Sequence, residues 1–153
     1  MSLKHTAETI PTLSQVLSLV DGAGGLLIEL KTNPHIEAMA AALDKILADY
    51  HGDVAIQSFD PRAVAYFARH SPQIVRGILS GNLADTQLPP YQRIMMSNLW
   101  FNHWVQPHFV AYEARCLPKS IVSYLKKQGL PILGWTITNE QQWCQALLYC
   151  TNI

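Results

Sequence analysis

The sequence predicts an α/β fold built on a parallel sheet. Two observations carry this. Short apolar runs alternate with stretches of helical periodicity along the whole chain, the pattern of successive β/α units. The first such run, LLIELK at 26–31, is apolar on both faces, as a parallel strand covered on both sides would be.

Each element has its own local reason. Residues 26–31 read as the first strand. Pro34 opens a helical run over 36–50, in which Ile36, Met39, Leu43, Ile46 and Leu47 fall on one stripe. Gly52, in His51-Gly52-Asp53, marks its end. A second strand occupies 54–59. Asp60 as N-cap and Pro61 at the first helical position start the next helix, with Val64, Phe67 and Ala68 as its stripe and Ser71-Pro72 as its stop. A third strand covers 74–79. The loop 81–90 closes on Pro89-Pro90. A helix over 91–103 carries Ile94, Met95, Leu99 and Trp100, and a fourth strand follows at 109–112. Pro118 opens a helix that runs to 128 and stops at Gly129. A fifth strand covers 132–137. Thr138-x-x-Gln141 reads as a capping box for a last helix ending near 149, and 151–153 resemble the start of a further strand.

The 153 residues suit one domain, 1–153. A net charge of +0 and a pI near 7.0 argue against a basic face for nucleic acid. Charged residues make up 14%, against roughly 25% in a typical soluble domain, while hydrophobic residues reach 49%. Such a chain either buries surface against something else or lacks part of its fold. No apolar run approaches the ~18–20 residues of a membrane span, and the first twelve residues lack signal-peptide character, so a cytoplasmic location is expected. Cys116, Cys144 and Cys150, without C-x-x-C spacing, read as buried thiols rather than a disulfide frame or zinc site. A doubly wound sheet fits the length, but Gly22-x-x-Gly25 precedes a strand instead of following one, so the phosphate fingerprint is absent. A closed (β/α)₈ barrel needs about 250 residues.

Candidate site residues come first from the strand at 26–31. Leu27, Glu29 and Lys31 share one face, and the charges fall at the C-terminal end, where parallel sheets build their sites. The alternative is a strand-end ion pair half in solvent. Ser58 and Tyr112 also stand at strand ends; alternation leaves open whether Gln57 or Ser58 points inward. Ser58, Asp60 and a histidine do not make a hydrolase triad, because no G-x-S-x-G elbow is present. His103 and His108 read as surface or capping residues.

Several of these segments together resemble glycerophosphodiester phosphodiesterases. They are Ile10-Pro11-Thr12-Leu13-Ser14-Gln15-Val16-Leu17, Leu27-Ile28-Glu29-Leu30-Lys31, Ile56-Gln57-Ser58-Phe59-Asp60, Pro72 with Arg76-Gly77-Ile78-Leu79, Pro107-x-Phe109-Val110-Ala111-Tyr112, and Gly134-Trp135-Thr136-Ile137. The resemblance implies a TIM-barrel-type fold present in part, about strands 3–7 of eight and the start of strand 8. It implies no counterpart to the first two strands, which carry a His-Arg pair, a Glu-x-Asp pair and a second histidine. Here His5 precedes Thr6 and no Glu-x-Asp occurs, so the general acid and base are left unassigned. Thr138, with Asn139 following, stands where the family often has Asn. The resemblance makes Glu29 a ligand of a divalent cation, Mg²⁺ or Ca²⁺. It gives Lys31 to the phosphate and makes Trp135 a wall of the substrate pocket, with Ser58 and Tyr112 as further substrate candidates.

The expected reaction of the parent protein is metal-dependent hydrolysis of a glycerophosphodiester to an alcohol and glycerol 3-phosphate, with this chain by itself catalytically incomplete. The alternative is a non-catalytic barrel remnant serving as an interaction or regulatory module. All helices are expected on one side of the sheet. Val54, Ile56, Leu133 and Trp135 are expected on the other, facing solvent unless a second copy or a missing barrel half covers them.

Overall fold

The structure, a computed structural model, describes residues 9–83 and 88–153. Five parallel strands lie side by side in sequence order: β1 (Leu26–Leu30), β2 (Val54–Ser58), β3 (Val75–Ser80), β4 (Phe109–Glu113) and β5 (Ile132–Trp135). They match the expected order, each with ends shifted by a residue or two. Asn152 bridges Leu133 in parallel, so the final residues do begin to pair with β5.

The helices are α1 (Leu13–Val20), α2 (Ile36–Leu47), α3 (Pro61–His70), α4 (Pro90–Ser97), α5 (Asn102–Val105), α6 (Ser120–Lys127) and α7 (Glu140–Tyr149), with a 3₁₀ turn at Ala114–Cys116. Among the described residues no helix is long and apolar enough to cross a membrane. Two cores form between helices and sheet. Leu30 and Ile56 pack with Leu17, Ile36, Leu43, Leu47 and Phe67. Ile78, Val110, Tyr112 and Ile132 pack with Val64, Val105, Val122 and Ala146. A third cluster, Leu79, Phe109 and Ala111 with Ala55, Phe59, Leu133 and Trp135, draws on strands and strand ends, with no helix residue. The helices therefore cover one side of the sheet, as expected.

Three local expectations need correcting. Val54 and Ile56 lie on the helix side, because the register pairs Ile28 with Ile56 and Glu29 with Gln57. The helix over 91–103 divides into α4 and α5. The Asn98 amide donates to the Ile94 carbonyl (2.8 Å), and Leu99 turns left-handed (φ 54°) to bury its side chain. The last helix is capped one residue later than its motif suggests. Asn139 Oδ1 accepts from Gln142 N (2.9 Å), while the Gln142 side chain accepts from Thr138 N and Oγ1. α1 carries a true capping box, Thr12 with Gln15, a T-x-x-Q signal that lies inside the Ile10–Leu17 segment.

Candidate active site

Alternation along parallel strands sorts the helix-free face into rows. Glu29, Gln57, Gly77 and Phe109 are successive register partners across β1 to β4. Gly77 has to be glycine: a Cβ there would lie 2.1 Å from the Phe109 ring, which occupies its place. Leu79, Ala111 and Leu133 form the next row, followed by Glu113 paired with Trp135. Phe59, just past β2, meets Trp135 edge-on, ring centroids 5.6 Å apart at 86°.

Glu29 and Lys31 stand at the C-terminal end of β1, joined by an ion pair of 2.8 Å. The Lys31 side chain is 80% exposed. Solvent screens such a pair to between nothing and about 1 kcal/mol, so it is a weak reason for two charges to be here. Trp135 lies on the same face at the other end of the sheet order.

Ser58 and Tyr112 do not join them. Ser58 is fully buried on the helix side, where its hydroxyl donates to the Leu30 carbonyl (2.7 Å) and accepts from Asp60 N (3.0 Å). It ties β1 to the start of α3. Tyr112 is 1% exposed and donates to the Ser97 carbonyl (3.0 Å); burial pushes its phenol up to about 12. Both occupy the parity that faces the helices, and Gln57 takes the position on the helix-free face. His108 is at the N-terminal end of β4, away from the charged strand ends, its Nδ1 accepting from Arg76 N (3.3 Å). Burial, with Arg76 nearby, lowers its pKa.

The sequence reading missed Glu113 and Arg115. Glu113 accepts from Asn82 N (3.1 Å), Cys116 Sγ (3.4 Å) and Arg115 (2.8 Å). Burial alone would raise its carboxyl, but the hydrogen bonds outweigh burial and hold it below the ordinary range. Partial burial and the Glu113 hydrogen bond raise the half-buried Cys116 thiol, which suits a structural cysteine. Glu113 thereby fastens the segment after β3 to the end of β4. Its signal was an acidic residue directly after the fourth predicted strand.

A hard divalent cation takes six or more oxygen ligands. Among the described residues no group of three or more His, Cys, Asp or Glu could hold a metal ion. Glu29 offers one carboxylate, and the residues described do not by themselves amount to a metal centre.

A profile described as the glycerophosphoryl diester phosphodiesterase family matches residues 2–149. The chain is 26% identical over 140 residues to YhdW of Bacillus subtilis (strain 168), named as a candidate glycerophosphodiester phosphodiesterase; the match takes in 88% of this chain and 53% of YhdW. The fold is similar to a phosphodiesterase of Oleispira antarctica solved in complex with the product sn-glycerol-3-phosphate (TM-score 0.73, 19% identity, 94% of this chain and 56% of that one). It is equally similar to a glycerophosphodiester phosphodiesterase of Parabacteroides distasonis (TM-score 0.73, 18% identity, 100% and 62%). The chain thus spans about half the length of these relatives, and its parallel sheet corresponds to part of their barrel. By its match over nearly its whole length, the chain belongs to the glycerophosphoryl diester phosphodiesterase family.

Proposed function

We propose that this chain contributes one part of a glycerophosphodiester phosphodiesterase that hydrolyses its substrate to an alcohol and glycerol 3-phosphate. The observation that carries the reading is the placement of Glu29 and Lys31 together at a strand end on the face no helix covers, in a chain of this family. Hydrolysis places water's oxygen on phosphorus and breaks the bond from phosphorus to the alcohol oxygen. Charge gathers on the phosphoryl oxygens as this happens, and a fixed cation there stabilises it. Lys31 supplies that cation as a point charge, held in place by its ion pair with Glu29. Trp135 walls the substrate. Glu29 would contribute one oxygen to a divalent cation, Mg²⁺ or Ca²⁺, of the complete site. The acid and base that move protons are not assigned to any residue of this chain.

A second reading, a non-catalytic module of the same fold, is favoured by the lack of a metal-holding cluster among the described residues. A chimera separates the two. Residues 26–153 replace the matching portion of the Oleispira phosphodiesterase. The expected result is release of glycerol 3-phosphate that depends on a divalent cation and falls about 10–100-fold in Glu29→Gln. A chimera that melts cooperatively yet releases no glycerol 3-phosphate supports the module instead.

A further inference from the structure

Two polar atoms on the helix-free face are shielded from solvent and bonded to nothing: Gln57 Oε1 and Trp135 Nε1. Among the described residues the other unpartnered buried side-chain atoms, on Arg76 and Asn102, belong to the helix side. An unpaired buried polar group costs on the order of 1–3 kcal/mol, so each one in a folded chain needs a reason. The neighbours of Gln57 explain why the protein leaves it unpaired. On one side is Glu29, whose ionised carboxylate only accepts hydrogen bonds. On the other is Gly77, without a side chain and overlaid by the Phe109 ring. The Lys31 ammonium, on the same face, is turned onto Glu29 at 2.8 Å. No side chain in this row can donate to Gln57 Oε1.

The two orphans ask for different partners. Trp135 Nε1 is a donor and can be satisfied by any anionic oxygen, a phosphate included. Gln57 Oε1 is an acceptor. An ionised phosphodiester has only acceptor oxygens, so it cannot serve Gln57, which needs an O–H or N–H. In a glycerophosphodiester the free hydroxyls are on the glycerol.

We propose that Gln57 is a specificity residue whose half-buried side chain turns its Oε1 outward to accept a hydrogen bond from a hydroxyl of the glycerol, so that the site selects phosphoesters carrying a polyol beside the phosphate. The inference rests on the reading that a glycerophosphodiester lies on this face. It accounts for a buried acceptor kept between an acid and a glycine, where a methionine or leucine would pack without an unpaired atom. A site that must hydrogen-bond a hydroxyl rejects the analogue lacking it, because the acceptor is then left unpaired.

The test uses the purified chain and reads binding, so it does not depend on turnover. ¹H–¹⁵N spectra follow the Trp135 indole, assigned with Trp135→Phe, during titration with sn-glycerol 3-phosphate and with ethyl phosphate, which matches its charge and lacks hydroxyls. Wild type is expected to bind glycerol 3-phosphate about tenfold more tightly, the worth of one hydrogen bond. Gln57→Leu and the nearly isosteric Gln57→Met should bring the two affinities together, with the spectrum elsewhere unchanged. Equal affinities in wild type, a gap that survives both variants, or no binding of either ligand would each overturn the proposal. An inactive chimera together with a Gln57-dependent gap would defeat the catalytic reading and leave this one standing. An active chimera with no gap would do the reverse.

Discussion

The two faces of the sheet are built to different standards. On the helix side, Ile56, Phe67, Val110 and Ile132 are fully enclosed, and the hydroxyls of Ser58, Ser80 and Tyr112 each bond to a main-chain carbonyl. On the other side, among the described strand residues, only Gly77, Leu79, Phe109 and Ala111 are buried, Leu27 is 51% exposed, and the residues between them include Glu29, Gln57, Glu113 and Trp135. One face carries the apolar burial that holds a fold together. The other carries two strand-end carboxylates, Glu29 and Glu113, with Gln57 and Trp135 between them, while unpaired buried polar atoms occur on both faces, those of Arg76 and Asn102 on the helix side. The lesson is a division of labour across a single layer of backbone: neighbouring residues of one strand, Gln57 and Ser58, serve opposite purposes.

The comparison breaks most readily at the helix face. Phe67→Ala should cost about 3–5 kcal/mol in urea unfolding through lost burial and a cavity, while Leu27→Ala should stay within about 0.5 kcal/mol. Equal losses would mean that the helix-free face is as firmly packed as the other. Tyr112 gives the next effect, in pH. Its phenol titrates near 12 when folded and near 10 when unfolded. The unfolded state therefore loses its proton first, and stability is full below pH ~10 and falls as pH rises toward ~12. The contribution lost, about 2–3 kcal/mol, should appear in wild type and be missing in Tyr112→Phe; parallel pH profiles would contradict it. The smallest effect sharpens the contrast. Glu29→Gln should shift the stability of the chain by no more than about 0.5 kcal/mol, because the Lys31 end of its ion pair is 80% exposed and screened, and Gln keeps the shape of the Glu29 side chain, itself 27% exposed. A loss of several kcal/mol would make Glu29 a structural residue.

Much of the fold was legible because its signals are local. Asp60 followed by Pro61 starts α3, Gly129 follows the last turn of α6, and the five apolar runs fall on the five strands. The direction of each strand's faces was less legible. Alternation gives a parity, and only a charge or a known partner says which parity meets the helices. Glu29 and Lys31 mark the helix-free face of β1, so Leu27 was placed correctly beside them. In β2, Val54, Ala55 and Ile56 are apolar at both parities. Nothing local then distinguishes Ile56 from Ala55, or Ser58 from Gln57. The register to Glu29 settles both, and register is a property of two strands. The break between α4 and α5 depends on a buried leucine at positive φ, a conformation that tertiary packing imposes against local preference.

The strand order also bears on how the molecule is made. Each strand after the first pairs with the strand that immediately precedes it in the chain, and no strand has to be inserted between two others already joined. Domains form as units while the chain emerges from the ribosome at roughly 5–20 residues per second. During synthesis β2 would meet β1 across the single helix α2, and every later strand would find its edge already waiting. A sheet of this kind grows from one end, and the loops it closes stay short even as the sheet widens.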